Sequence, residues 1–224
     1  MVINNKMGVI FDLDGVLVDT AWAHLLAWKD LAEREGFDMS DEFFYKTFGM
    51  QNYQILPDLL GTDVPIERID RLADWKEQRY REIAADRLVP AEGVAQLIEG
   101  LKETGFRLAV GSSAPRANVE LMLTAAKLID NFDVLISSEN VTKGKPDPET
   151  FATAGAQLSL PPQRCVVVED AVQGVQAGKA ASMAVVAVAN TRKREELAEA
   201  DLVVNSLAEI DATDFVAIIQ RTTQ

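Results

Sequence analysis

Two short apolar runs in this chain each end on a pair of acids. Val9-Ile10-Phe11 leads into Asp12-Leu13-Asp14-Gly15, and Val166-Val167-Val168 leads into Glu169-Asp170. A short apolar run closed by a breaker reads as a buried strand. Carboxylates at the end of such a strand are costly to hold, because like charges at close range raise a pKa or recruit a cation. A turn accounts for Asp14-Gly15, since Asp and Gly favour turns, but it leaves Asp12 unexplained. The carboxyl ends of strands in an open α/β sheet are where ligands bind. The pairs therefore point to a metal-assisted site in which one carboxylate attacks and its neighbour moves protons.

The rest of the chain supports such a sheet. Strands are predicted over 7–11, 107–110, 134–137, 165–168, 184–188 and 202–204. Helices are predicted over 94–103, 116–127, 148–158 and 172–181, with a short one over 194–198. This alternation predicts an α/β fold, a Rossmann-like parallel sheet with helices on both faces. The segment after the first strand breaks the pattern. Residues 21–36, 40–47, 52–60 and 65–85 read as helices, and no strand is expected between Thr20 and Pro90. The expected organisation is a core of residues 1–20 and 89–224 with an inserted all-helical cap of residues 21–88. Hinges are expected near Thr20–Ala23 and Arg87–Pro90.

Composition narrows the chemistry. The net charge is −13, which disfavours a nucleic-acid-binding surface. No run of 18 or more apolar residues is present, so no membrane span is expected, and the first residues lack the apolar stretch of a signal peptide. The single cysteine, Cys165, excludes an internal disulfide framework and favours a cytoplasmic location. It reads as a core filler. The single histidine, His24, cannot furnish a histidine-rich metal site, so oxygen ligands and Mg²⁺ are expected.

Two further loops fall at strand ends. Gly111-Ser112-Ser113 precedes a helix, where hydroxyls and backbone N–H groups can donate to a phosphate; an N-cap role for Ser112 is the alternative. Lys143-Gly144-Lys145-Pro146 holds Lys145 between Gly and Pro, placed to neutralise a carboxylate nucleophile and an incoming phosphoryl group. Lys143 fits a solvated surface position better.

In order and spacing these four loops resemble the motifs of the haloacid dehalogenase superfamily. Asp12-Leu13-Asp14-Gly15 is similar to its DxDG motif, Ser112 to its hydroxyl motif, Lys145 to its lysine motif and Glu169-Asp170 to its acidic motif, over about Val9 to Val188. The resemblance implies a Rossmann-like core, a helical cap and an aspartyl-phosphate intermediate. It implies Asp12 as nucleophile, Asp14 as general acid and then base, Ser112 as phosphoryl binder and Lys145 as counter-charge. It also implies a Mg²⁺ site formed by Asp12, Asp14 through its backbone carbonyl, Asp170 and Glu169. The dehalogenases usually lack the second Asp, so Asp14 argues for phosphoryl transfer.

Within the superfamily, Asp19-Thr20 followed by His24 and Trp28 resembles the β-phosphoglucomutase-like subgroup, and Lys76 falls where the mutases carry a substrate-contacting cap lysine. Asn52 stands where their cap arginine grips a second phosphate. Asn cannot supply a bidentate cation, which favours hydrolysis over mutase chemistry, with Arg116 as a partial replacement. Thr20, His24, Asn52, Lys76, Ser113 and Arg116 are thus the expected substrate-binding residues. Tyr45, Met50, Tyr53, Trp75 and Arg79 are further cap candidates. The expected function is a Mg²⁺-dependent phosphatase on a small phosphorylated metabolite such as a sugar phosphate, acting as a monomer or weak dimer. A phosphomutase is the runner-up. A non-catalytic phospho-ligand-binding domain ranks last, since the catalytic set is intact.

Overall fold

The computed structural model describes residues 6–85 and 87–222; the expectations that fall on the first five residues lie outside these. Six strands form one parallel sheet: β1 (Gly8–Phe11), β2 (Arg107–Gly111), β3 (Val134–Ile136), β4 (Cys165–Glu169), β5 (Ala184–Val188) and β6 (Leu202–Val204). Their order is β3-β2-β1-β4-β5-β6. The order reverses at β1, which pairs with β2 on one side and β4 on the other. Ligands of doubly wound sheets bind at such a switch point, outside the carboxyl ends of the strands.

Alternation along each strand sends side chains to two separate cores. Val9, Phe11, Val166, Val168 and Val186 join one apolar cluster. Helices α5 (Val94–Glu103), α6 (Arg116–Ala125) and α9 (Ala212–Thr222) pack on that side. Ile10, Cys165, Val167 and Val185 join the other, under α7 (Glu149–Gln157) and α8 (Val172–Ala180). Cys165 is fully buried there, and burial pushes its thiol up to about 11.

Between β1 and α5 the described chain is helical: α1 (Ala21–Glu35), α2 (Asp41–Thr47), α3 (Asn52–Leu60) and α4 (Ile66–Ala84). Gly36, at φ 76°, closes α1 in the left-handed conformation that a side chain disfavours. Ser40 Oγ accepts from the Phe43 N–H to cap α2. Trp28, Leu31, Phe44, Leu56, Ile69 and Leu72 form a third apolar cluster within this block. Its base is joined to the sheet's first cluster through Ala23, Ala27, Tyr80 and Ala84. At its far edge the contacts are polar. Gln54 Nε2 donates to the Lys145 carbonyl at 3.1 Å, Gln173 Nε2 to the Lys46 carbonyl at 2.8 Å, and Asn118 Nδ2 to Glu77 at 2.5 Å.

Nothing after Val204 is predicted as an element, yet α9 is a regular helix that buries Phe215, Ile218 and Ile219. The short helix expected over 194–198 is a single 3-10 turn, Arg194–Leu197.

Candidate active site

Strand register assembles the acids. Phe11 pairs with Val168, so Asp12 and Glu169 leave the sheet side by side, and the Asp12 N–H donates to the Val168 carbonyl at 2.9 Å. Lys145 arrives from the loop before α7 and is fully buried. Its ammonium donates to Asp12 Oδ1 at 2.5 Å and to Glu169 Oε1 at 2.7 Å. Glu169 Oε2 accepts the backbone N–H groups of Asp170 and Ala171, both at 2.7 Å. Glu169 is thereby locked, and it in turn fixes Lys145 beneath Asp12. Thr191 Oγ1 donates to Asp170 Oδ2 at 2.5 Å.

Two glycines make this cluster possible. Gly15 sits at φ 83°, and a Cβ there would fall 2.1 Å from Asp170 Oδ2. A Cβ on Gly174 would overlap the carboxyl group of Glu169.

Oxygens of Asp12, Glu169 and Asp170 lie within 4.8 Å of one another, all buried. Three carboxylates face one lysine, which leaves an excess of negative charge. Burial, followed by the charges of Glu169 and Asp14, pushes Asp12 up to about 7 despite Lys145. Burial and the charges of Glu169 and Asp12 raise Asp170 well above its ordinary value. Octahedral Mg²⁺ holds oxygens at about 2.1 Å, so its ligand oxygens are roughly 3–4 Å apart. An all-oxygen, electron-rich pocket of this size fits such an ion.

Asp14 lies in a different environment. Its Oδ1 accepts from Thr20 Oγ1 at 2.5 Å and from His24 Nε2 at 3.0 Å. Lys76, a donor only, contacts His24 Nδ1 at 2.8 Å. That contact assigns the His24 proton to Nε2, aimed at Asp14. Burial opposes ionisation of Asp14, but His24, Thr20 and the charge of Lys76 outweigh it and hold the carboxyl below its usual range. Two neighbouring acids thus stand in unlike environments, Asp12 on a lysine ammonium and Asp14 on a hydroxyl and an imidazole.

The cleft above these acids runs between the helical block and the sheet edge. It is lined by Asp12, Asp14, His24, Asn52, Lys76, Ser113 and a set of apolar residues that includes Trp28, Phe44 and Phe48. Ser112 is buried at the end of β2, where its Oγ accepts from the Ala114 N–H at 3.0 Å. It steadies this turn; the residue at the N-cap of α6 is Pro115. Met50 lines the cleft.

Other candidates are placed elsewhere. The Arg116 guanidinium is committed to Glu120 at 2.7 Å and to the Leu135 carbonyl at 3.2 Å, out on the surface, so it does not stand in for a cap arginine. Arg79 binds Asp30 and Glu82. Trp75 lies under Arg34, Tyr53 donates to Asp70, and Tyr45 is exposed. Lys143 is exposed beside Asp147, in keeping with a solvated role.

Sequence reasoning missed Glu77. This buried acid accepts from Lys76 at 2.8 Å, Asn52 at 2.7 Å and Asn118 at 2.5 Å. It also missed Thr191 and Asn118. The contacts of Glu77 and Asn118 arise from helix packing and that of Thr191 from the loop after β5, and none has a local motif. An acid at 77 directly after Lys76, on the buried face of a helix, was the one available signal.

Comparison with known proteins agrees with this geometry. The family model described as haloacid dehalogenase-like hydrolase matches residues 9–188. The β-phosphoglucomutase of Bacillus subtilis is 31% identical over 210 residues, covering 90% of each chain. The validoxylamine A 7'-phosphate phosphatase of Streptomyces hygroscopicus subsp. limoneus is also 31% identical, over 90% of this chain and 94% of the relative. Among solved structures, the β-phosphoglucomutase of Clostridium difficile superposes with a TM-score of 0.88 at 27% identity, covering 97% of this chain and 99% of that one.

Proposed function

The chain belongs to the haloacid dehalogenase-like hydrolase family, and on that premise we propose that it is a Mg²⁺-dependent phosphatase that works through Asp12 on a small phosphomonoester. The observation that carries this reading is the pair of unlike carboxylates: Asp12 clamped by Lys145 at 2.5 Å, and Asp14 held separately by Thr20 and His24.

In the first half-reaction an Asp12 oxygen attacks phosphorus, and the ester oxygen departs with a proton from Asp14. In the second, water attacks the aspartyl-phosphate, Asp14 takes the water's proton, and Asp12 is released with inorganic phosphate. Lys145 holds Asp12 in place and offsets charge on the phosphoryl oxygens. The donors around Asp14 favour its ionised form, which suits the second half. An incoming phosphoryl dianion opposes them and favours the protonated form, which suits the first. The hydroxyls of Ser112 and Ser113 serve the phosphoryl group and the substrate. Asp12, Asp170 and the Asp14 carbonyl would hold Mg²⁺, with Glu169 supporting it directly or through water, and the ion would supply positive charge at the phosphoryl oxygens.

The helical block, residues 21–88, acts as a cap on the core of residues 1–20 and 89–224. Its apolar base and polar far edge suit a hinge at Thr20–Ala23 and Arg87–Pro90 that opens the cleft. A cytoplasmic monomer or weak dimer completes the reading; no described helix is long and apolar enough to cross a membrane.

Two relatives at equal identity, one a mutase and one a phosphatase by name, keep mutase chemistry as the second reading. A mutase has to grip a bisphosphate at both ends. Here Asn52 donates to Glu77, and Arg116 points away from the cleft. The deciding experiment is incubation with glucose 1-phosphate, Mg²⁺ and a trace of glucose 1,6-bisphosphate. Release of free phosphate supports the phosphatase. Conversion to glucose 6-phosphate without phosphate release overturns it in favour of the mutase.

A further inference from the structure

We infer that Glu77 is a specificity-determining residue, which restricts the enzyme to phosphomonoesters whose leaving group carries no second anionic group and rests mainly on apolar surface. The inference rests on the phosphatase reading and names the substrate class for that site.

Beyond Asp12 and Asp14 the apolar part of the cleft wall is Trp28, Phe44, Phe48, Met50, Ile55 and Ala114, and beside it Thr47 spends its hydroxyl on the Phe43 carbonyl and His24 spends both ring nitrogens on Asp14 and Lys76. Such a wall gives a leaving group dispersion and desolvation, with little to read a ring of hydroxyls. The polar valences on the far side are largely consumed. Glu77 Oε1 accepts from Lys76 and Asn52, and Oε2 accepts from Asn118. Among the described residues that line the cleft, Lys76 is the only lysine or arginine. Its ammonium is already shared between Glu77 and His24, and it lies 5.3 Å from the Trp28 ring centroid. Ser113 Oγ is buried without a partner and is left over for one neutral hydroxyl or carbonyl.

Past Glu77 the cleft adjoins a surface recess that shares Asn52, Glu77 and Ser113 with it. Asp74 and Glu139 line the recess as well, and no lysine or arginine does among the described residues. A phosphate or carboxylate on the far end of a substrate would therefore meet three carboxylates against the single ammonium of Lys76, a net excess of two negative charges. Burial opposes ionisation of Glu77, but Lys76 and the surrounding donors hold it below the usual carboxylate range, so its charge persists at neutral pH. Juxtaposed like charges in a partly desolvated site discriminate strongly against such a ligand.

The test is kcat/KM with Mg²⁺ for three esters: phenyl phosphate, glucose 1-phosphate and glucose 1,6-bisphosphate. The wild type is expected to use the bisphosphate at least about 100-fold less well than the better of the two monophosphates. Glu77→Gln is expected to narrow that ratio by about tenfold or more, chiefly through KM for the bisphosphate. The mouth variant Asp74→Asn/Glu139→Gln lies on exposed side chains and is expected to narrow it several-fold, as is added salt in the wild type. If Glu77→Gln does not fold, the mouth variant and the salt series decide. A wild-type ratio within about threefold of unity overturns the inference, as does a ratio unmoved by these changes. Hydrolysis of none of the three esters, or hydrolysis that survives Asp12→Asn, overturns the phosphatase reading and the selectivity with it.

Discussion

Replacing the nucleophile should stabilise the metal-free protein while abolishing its activity. Asp12 has an ordinary carboxyl value of 3.8 and is pushed to about 7 in the fold, first by burial and then by Glu169 and Asp14, against the pull of Lys145. The folded state therefore holds the proton more tightly than the unfolded chain. Stability falls as pH rises from about 4 to about 7 and stays low above that. A rise of this size corresponds to about 4 kcal/mol. Asp12→Asn keeps the shape and an acceptor for Lys145, and Lys145 retains Glu169. In EDTA at pH 8 the variant should thus exceed the wild type by about 2–4 kcal/mol in urea unfolding. For a chain of this length that is roughly 5–15 °C in Tm. At pH 5 the gap should nearly close, because Asp12 is then protonated in the native wild type. Mg²⁺ should also narrow it, since a ligand of the folded state stabilises the protein with the fuller site more. A variant no more stable than the wild type at pH 8 without metal would refute the electrostatic reasoning, as would a gap independent of pH.

Further outcomes follow from the same contacts. EDTA should abolish phosphate release and Mg²⁺ restore it; full activity in metal-free buffer would contradict the need for a cation. Lys145→Met leaves three buried carboxylates without a counter-charge and should cost about 3–5 kcal/mol in EDTA, partly recovered with Mg²⁺ in a thermal melt. Asp14→Asn removes the proton carrier of both half-reactions; because phenolate leaves with less help from an acid than an alkoxide does, phenyl phosphate should still phosphorylate the variant while the second half-reaction slows by about 10²–10⁴, visible in rapid quench as a burst of phenol with little phosphate released. His24→Gln removes one of the groups that hold Asp14 below its usual range. Its carboxyl should rise, and the acid limb of the pH profile for breakdown of the phosphoenzyme, where Asp14 acts as base, should move to higher pH, whereas an unmoved limb would show that His24 does not tune Asp14.

Strands β1, β2, β3 and β4 were legible because each is an apolar run followed by a loop of distinct chemistry. Within those loops the reading reached individual residues: Lys145 was expected beside a carboxylate, and its ammonium lies 2.5 Å from Asp12. The helical block was legible as helices: the ranges expected at 21–36, 40–47, 52–60 and 65–85 coincide with α1 to α4 to within a residue or two at each end. Its inward-facing chemistry was far less so. His24 and Lys76 were named from resemblance, and their mutual contact at 2.8 Å depends on how α1 packs on α4. Glu77, Asn118 and Arg81 form a chain that joins α4 to α6, with Arg81 Nη1 at 2.8 Å from Asn118 Oδ1. No sequence spacing encodes a contact between helices so far apart along the chain. Arg116 was misplaced for the converse reason. Its local partner Glu120, one helical turn away, captures it before any cleft can.

The central claim is that Asp12 becomes phosphorylated, and chemical trapping tests it most directly. The Asp14→Asn protein is mixed with phenyl phosphate and Mg²⁺, quenched within the burst and reduced with borohydride, which converts an aspartyl-phosphate to homoserine. Peptide mass spectrometry then reads position 12. The account predicts homoserine at 12, dependent on both substrate and Mg²⁺ and absent from the Asp12→Asn/Asp14→Asn double variant. A burst of phenol from the Asp14→Asn protein, with position 12 unmodified or another carboxylate reduced in its place, would contradict it.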